Sequence, residues 1–223
     1  MPTFTIGPFQ IDTVIFDFDG TLAKLTIDFD QMRAGILSLI SSHNIDKNQL
    51  RAHHVLEMVD NAVELLHRDS ARQAEIFYNE AFALIENIET AAARNGALFH
   101  YTRDLLSRLQ SRGVKCGIIT RNCARAVTIL FPDVLSYCPV LICRDDVNNV
   151  KPHPEHIHLA LSRLDSRPEN ALMIGDHPLD ILAGHNAGTA ACGVLTGRCT
   201  RTDFAEAGAD LILDDASEIL GML

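Results

Sequence analysis

The sequence predicts an α/β protein: a doubly wound parallel sheet carrying a second, smaller, all-helical domain. Three observations predict this. Short β-branched and apolar runs alternate with helix-length segments over most of the chain, which is the pattern of βαβ units. One stretch near the N-terminus breaks the alternation with three successive helical patterns. Apolar residues make up 47% of the chain while aromatics make up 6% and Trp is absent, so aliphatic side chains must fill the core, as they do in parallel sheets covered on both faces.

The first run, residues 12–18 (DTVIFDF), ends at Asp19-Gly20 and reads as a buried strand breaking into a turn. Similar runs follow at 114–120, 139–143, 171–175, 190–194 and 210–213. Between the first and second lie the helical patterns. Phe29, Met32, Ile36 and Leu39 share one face of the first. Leu50, Val55, Met58, Ala62 and Leu65 form the second, with Asp46 and Gln49 placed as a capping box. Ala74, Phe77, Ala81, Leu84 and Ile88 form the third, and Gly96 stands where a C-terminal cap belongs. The expected division is therefore a core domain from 1–23 and 97–223 and a helical domain from 24–96. That domain either simply packs on the sheet or acts as a cap that excludes water from a site at the strand ends.

The 223 residues suffice to bury a full core. Lys plus Arg number 19 against 29 Asp plus Glu, a net charge of −10, and such a field repels nucleic acid and anionic membranes. A small anionic substrate remains compatible, because a bound cation and a few focused donors override the global charge within a site. The six cysteines include no CxxC pair and suggest neither a zinc module nor a disulfide framework. No basic stretch followed by a sustained apolar run opens the chain, and no window is long enough to span a bilayer. The expectation is a cytoplasmic protein with no membrane partner, and the sequence leaves monomer and homodimer open.

Ligand crevices of open α/β sheets lie beyond the carboxyl ends of the strands, and the polar residues there converge on one chemistry. Asp17, Asp19, Gly20 and Thr21 follow the first strand, Thr120, Arg121 and Asn122 the second, Lys151 precedes a later helix, and Asp176 and Asp180 follow the fourth strand. In extended geometry Asp17 and Asp19 project to one side, about 6 to 7 Å apart along the chain. Asp17 sits among Val14, Ile15, Phe16 and Phe18, where an unpaired charge is costly and a partner cation explains it. Asp176 adds a hard oxygen ligand suited to Mg²⁺. The Thr120 hydroxyl and the Lys151 ammonium are donors of the kind that stabilise a transferring phosphoryl group, and Gly20 lets backbone N–H groups approach it.

Asp17-Phe18-Asp19-Gly20-Thr21-Leu22, Thr120, Lys151-Pro152 and Gly175-Asp176-His177-Pro178-Leu179-Asp180 resemble the four motifs of the haloacid dehalogenase-like hydrolase superfamily, in order and in strand placement. The continuation Ile181-Leu182-Ala183-Gly184, Ala187-Gly188 and Gly193-Val194 resembles its phosphoglycolate phosphatase-like branch with a helical cap. The resemblance implies a Rossmann-like core, a small phosphorylated substrate and Mg²⁺. It implies that Asp17 attacks phosphorus to give an aspartyl-phosphate, and that Asp19 protonates the leaving oxygen and then activates water. It further implies that Thr120 and Lys151 hold the phosphate, that Asp17, Asp176 and the carbonyl of Asp19 ligate the metal, and that Asp180 orients Lys151 or the metal shell. A phosphomutase on sugar phosphates would use the same core. A phosphorylatable signalling module or a degenerate binding protein is the alternative of another class, and Asp19 and the helical insertion speak against the signalling module.

The sequence also departs from the family pattern. His177 replaces a usual Ser or Thr, and Phe99-His100-Tyr101-Thr102 stands where Pro-Gly is common. Arg121 follows Thr120 and is placed to reach an anionic group. Cys123 reads as a helix-packing residue, Arg33, Arg51 and Arg68 as solvated faces, and His153, His156 and His158 as solvated residues at a helix start.

Overall fold

The structure is a computed structural model that describes residues 3–50 and 54–222. In chain order it runs through β1 (Phe4–Ile6), β2 (Phe9–Ile11), β3 (Thr13–Phe16), β4 (Ala23–Lys24), α1 (Phe29–Ser42), α2 (Val55–Asp69), α3 (Ala71–Asn95), β5 (Ala97–Leu98) and α4 (Thr102–Ser111). Then come β6 (Lys115–Ile119), α5 (Ala124–Leu130), α6 (Val134–Tyr137), β7 (Val140–Ile142), α7 (Glu155–Leu164), β8 (Ala171–Gly175), α8 (Pro178–Ala187), β9 (Ala190–Val194), α9 (Arg201–Glu206) and β10 (Leu211–Leu213).

The six apolar runs of the sequence become one parallel sheet in the order β10-β9-β8-β3-β6-β7. The chain leaves β3 for β6 and β7 on one side, then crosses to β8, β9 and β10 on the other. That reversal at β3 is the switch point where doubly wound sheets open a crevice. Every residue of β3, β8 and β9 is buried, as continuous apolar strands in a covered sheet should be. Ile15, Ile119, Ile142, Ile157, Leu161 and Met173 belong to one core cluster, and each such side chain removed from water contributes about 1.5 to 3 kcal/mol. Phe204 of α9 packs with Ile181 and Ala191 in a second cluster.

The chain divides into two compact units, residues 1–25 with 96–223, and residues 26–95. Antiparallel pairing of Ala23 with Leu98 and Lys24 with Ala97 keeps the strand-bearing unit together as far as Leu25.

The second unit consists of α1, α2 and α3 with a short 3₁₀ turn. Asp28 caps α1 by accepting the Gln31 N–H at 2.8 Å, and Met32, Ile36 and Ile40 form its buried stripe. Phe29, expected on that face, is 54% exposed, because the stripe drifts toward Ile40 and away from the first turn. In α3 the buried stripe likewise runs through Phe77, Ala81 and Ile85 rather than through Leu84 and Ile88. Asp46 caps only the 3₁₀ turn at Lys47–Gln49, accepting from Asn48 N at 2.9 Å. The expected capping box for the second helix therefore does not form, since α2 begins at Val55, too far along for Asp46 to reach its orphan N–H groups. Arg51 lies outside the described residues. Among those residues no helix is long and apolar enough to cross a membrane.

Candidate active site

Strand register brings the acidic and donor residues together. Phe16 of β3 is level with Ile118 of β6 and Ile174 of β8, so the chains leave these three neighbouring strands side by side. Asp17 therefore emerges next to Thr120 on one flank and Asp176 on the other, with strands about 4.8 Å apart. The Asp17 N–H still bonds to the Ile174 carbonyl at 2.8 Å, and Thr120 N bonds to Ile142 O at 3.0 Å, which fixes both backbones at the sheet edge.

Lys151 ties the acids to one another. Its ammonium lies 2.5 Å from Asp17 Oδ1 and 2.6 Å from Asp180 Oδ1, and all three side chains are buried. Asp180 uses its other oxygen to accept the His177 N–H at 3.1 Å, and His177 Nδ1 accepts from Leu179 N at 3.1 Å. His177 thus caps α8 with its imidazole. Gly175 is required beside this pair, because a Cβ there would stand 2.2 Å from Asp180 Oδ2.

Burial raises the Asp17 carboxyl well above the ordinary range, with Lys151 opposing the shift and Asp180 and Asp19 adding to it. Asp176 is raised by burial and then by repulsion from Asp17, Asp180 and Asp19. Burial disfavours the Lys151 charge, but Asp17 and Asp180 outweigh it and hold its pKa above the usual value. The cluster is thus short of positive charge.

Asp19 is held apart by the turn. Its Oδ1 accepts the Leu25 N–H at 2.9 Å, while Gly20 N bonds to Ala23 O at 2.7 Å. Burial lifts its pKa to about 6 against the pull of the Leu25 N–H and the Arg198 charge. Gly20 has φ +84, and a Cβ there would lie 2.2 Å from Asp176 Oδ2, so both the turn and the carboxylate require glycine.

Of the phosphate donors expected from sequence, Thr120 is buried and its Oγ1 accepts the Asn122 N–H at 3.1 Å, which leaves the hydroxyl proton free to be donated. Arg121 donates from its guanidinium to the Lys151 carbonyl at 3.1 Å and so braces the lysine segment. Arg144 donates in turn to the Arg121 carbonyl at 3.2 Å. Asn122 Nδ2 is buried without a hydrogen-bond partner among the described residues. Such an amide donor is costly unless a ligand or water completes it, and only its position after the second strand marked it in the sequence.

His156 departs from expectation. It is fully buried rather than solvated, with Nδ1 3.4 Å from the Lys151 N–H and Nε2 3.3 Å from the Cys143 carbonyl. The helix-start position concealed this, because the N-terminal turn of α7 faces inward at Lys151. Two further neighbours were not expected at the site: Thr196 Oγ1 donates to the Gly20 carbonyl at 2.5 Å, and Tyr101, marked in the sequence only as part of a segment that departs from Pro-Gly, donates its OH to the Thr21 carbonyl at 2.8 Å.

Asp17, Asp176 and Asp180 each offer a carboxylate oxygen, all within 4.8 Å of one another. Three carboxylates cluster about one ammonium, and the donors are all oxygen. A Cβ at Gly197 would stand 2.0 Å from Asp176 Oδ2, just as one at Gly20 would clash, so backbone is pressed against that carboxylate from two sides. This donor set fits a small, hard divalent cation such as Mg²⁺.

Comparison with known proteins covers the same residues. The sequence pattern of the haloacid dehalogenase-like hydrolases matches residues 14–194. Pyrophosphatase PpaX of Bacillus cereus (strain ATCC 10987 / NRS 248) is 30% identical over 227 aligned positions, covering 96% of this chain and 97% of that protein. A hydrolase from Pseudomonas syringae shares the fold at a TM-score of 0.65 and 22% identity, covering 95% of this chain and 96% of the other. A haloacid dehalogenase-like family hydrolase from Streptococcus pneumoniae does so at a TM-score of 0.62 and 20% identity, covering 95% and 97%.

Proposed function

The chain belongs to the haloacid dehalogenase-like hydrolase family and is a phosphatase within it, and on that premise we propose that it hydrolyses a small phosphorylated metabolite by way of a phosphorylated Asp17. The observation that carries the reading is the buried contact of Asp17 Oδ1 with Lys151 at 2.5 Å, at the one point of the sheet where Thr120 and Asp176 also emerge. An aspartate so held keeps its second oxygen for attack, while the ammonium that steadies it faces the incoming phosphoryl charge.

In this reading Asp17 forms a bond to phosphorus as the bond to the leaving oxygen breaks, and Asp19 gives that oxygen its proton. Asp19 then takes a proton from water, the water oxygen attacks phosphorus, and the Asp17–phosphorus bond breaks to release phosphate. Thr120 Oγ1, Lys151 Nζ and the unpaired amide of Asn122 donate to the phosphoryl oxygens, with the N–H groups around Gly20 completing the cradle. Mg²⁺ held by Asp17, Asp176 and the carbonyl of Asp19 would neutralise charge on those oxygens. Asp180 positions Lys151, and Arg121 supports the lysine segment from behind. The helical unit, residues 26–95, is proposed as the cap domain, two residues shorter at its start and one at its end than the 24–96 expected, with 1–25 and 96–223 as the core. The PpaX relatives are named as pyrophosphatases, which agrees with a compact phosphorylated substrate.

Phosphate release from a panel of small phosphate esters and anhydrides, measured with Mg²⁺ and with chelator and with Asp17→Asn as the blank, tests the reading. Release without a bisphosphate activator, lost in the blank, is expected. A mutase would convert a sugar phosphate without net release, and a signalling module would keep phosphate on Asp17 for hours; either result overturns hydrolysis as the function.

A further inference from the structure

The transferred phosphoryl group accounts for Asp17, Thr120, Asn122 and Lys151, and leaves open what grips the remainder of the substrate. The loop that follows β9 bears on this. Thr196 fastens it to the Gly20 carbonyl at 2.5 Å, and Gly197 lies so close to Asp176 that a Cβ would stand 2.0 Å from its carboxylate oxygen. The next residue, about 3.8 Å further along the backbone, is Arg198. It is exposed, and among the described residues no carboxylate or carbonyl holds its guanidinium by a hydrogen bond or ion pair. Its charge is nevertheless felt at Asp19.

Lys151, Arg121 and Arg144, the other described cations around the site, are engaged. Lys151 is shared by Asp17 and Asp180, Arg121 donates to the Lys151 carbonyl, and Arg144 donates to the Arg121 carbonyl. Among the described residues, Arg198 is therefore a cation beside this site whose planar fork remains available for a ligand. Its position also has a direction. If Asp19 protonates the leaving oxygen, a group near Asp19 on a loop beside Gly20 meets the leaving-group end of the substrate. A second anion on that end would otherwise enter among Asp19, Asp176 and a net charge of −10, all repulsive.

We propose that Arg198 determines specificity by binding a second anionic group, a carboxylate or another phosphoryl, carried on the leaving group of the phosphate ester or anhydride that the site hydrolyses. The inference rests on the reading of Asp17 and Asp19 given above. It defines the substrate class as compact double anions, with the reacting phosphoryl at one end and the recognised charge a few bonds away.

Steady-state phosphate release is measured with Mg²⁺ for the wild type, Arg198→Ala and Arg198→Lys. Three probes are compared: phenyl phosphate, whose leaving group carries no second charge, 2-phosphoglycolate, which carries a carboxylate, and inorganic pyrophosphate, which carries a phosphoryl. For at least one double anion, Arg198→Ala should lower kcat/KM about tenfold to a hundredfold more than it does for phenyl phosphate, the size of a lost charge-assisted hydrogen bond. The loss should lie chiefly in KM, and Arg198→Lys should restore part of it. The double anion that suffers distinguishes a carboxylate from a phosphoryl tail. Equal losses on all three probes, no loss on any, or wild-type turnover of phenyl phosphate alone each overturns the role of Arg198 while leaving the phosphatase reading in place. Failure of the wild type to release phosphate from every probe overturns both.

Discussion

Lys151 Nζ stands 2.6 Å from Asp180 Oδ1 while the same ammonium touches Asp17, so Asp180 and the acid proposed as the nucleophile share one buried cation. Removing that cation leaves carboxylates crowded without a counter-charge. Lys151→Met should slow phosphate release by about a hundredfold to a thousandfold, as loss of one preorganised donor to a transferring group does. In chelator it should also lower unfolding free energy by about 3 kcal/mol, the scale for breaking a buried ion pair. Urea denaturation in chelator is the check; a variant as stable as the wild type would show that the contact carries no structural weight.

Metal binding should be visible without turnover. Asp17, Asp176 and Asp180 crowd three oxygens within 4.8 Å, and a divalent cation relieves their mutual repulsion. At a Mg²⁺ concentration near a hundred times its Kd the native state gains about 2.7 kcal/mol. For a chain of this size that corresponds to a Tm rise of roughly 5 to 10 °C. Asp176→Asn should lose most of the rise, and an undiminished rise would move the metal elsewhere.

Much of this site was legible because parallel strands carry their chemistry at their carboxyl ends. Asp17, Thr120 and Asp176 follow β3, β6 and β8 directly, so finding the strands located the acids. What escaped depends on contacts made across the fold. Phe29 fits a helical face by spacing, yet the unit's core passes through Ile40 instead. His156 looks like a solvated residue until α7 is seen to turn its first turn toward Lys151. Arg198 carries no motif, and Tyr101 is marked only by a departure from Pro-Gly, because their places follow from loops anchored to Gly20, Thr21 and Leu22.

Buried His156 should give the protein an acid-sensitive stability. Burial, then the nearby Lys151 charge, lowers its pKa to about 4, with Arg121 adding to the shift and the Cys143 carbonyl and Glu155 opposing it. Its unfolded value is about 6.5. Below that pH the unfolded chain takes up a proton that the native state refuses, so stability falls as pH drops from about 6.5 and levels off below about 4. The contribution is present above 6.5 and amounts to at most about 3 kcal/mol across the window, at 1.36 kcal/mol per pH unit. Denaturant unfolding of wild type and His156→Gln between pH 4 and 7.5 should show the variant losing less stability toward acid. Parallel curves would contradict the assignment.

Tyr101 occupies the segment where the family pattern has Pro-Gly, and it staples the turn that carries Asp19. Its hydroxyl donates to the Thr21 carbonyl at 2.8 Å, Thr102 Oγ1 donates to the Leu22 carbonyl at 2.5 Å, and Phe99 N bonds the same carbonyl at 3.0 Å. Burial, and then Asp215, pushes the phenol pKa up, so it remains a donor throughout the working pH range. Tyr101→Phe keeps the ring and removes only the donor. It should cost about 1 to 3 kcal/mol by leaving a buried carbonyl unpaired. Because the turn then loosens around Asp19, kcat should fall severalfold while KM for a small phosphate ester moves little. The two effects separate the roles: a loss of stability with unchanged kcat would make Tyr101 a packing residue, whereas a fall in kcat that follows the stability loss ties the staple to the proton transfer at Asp19.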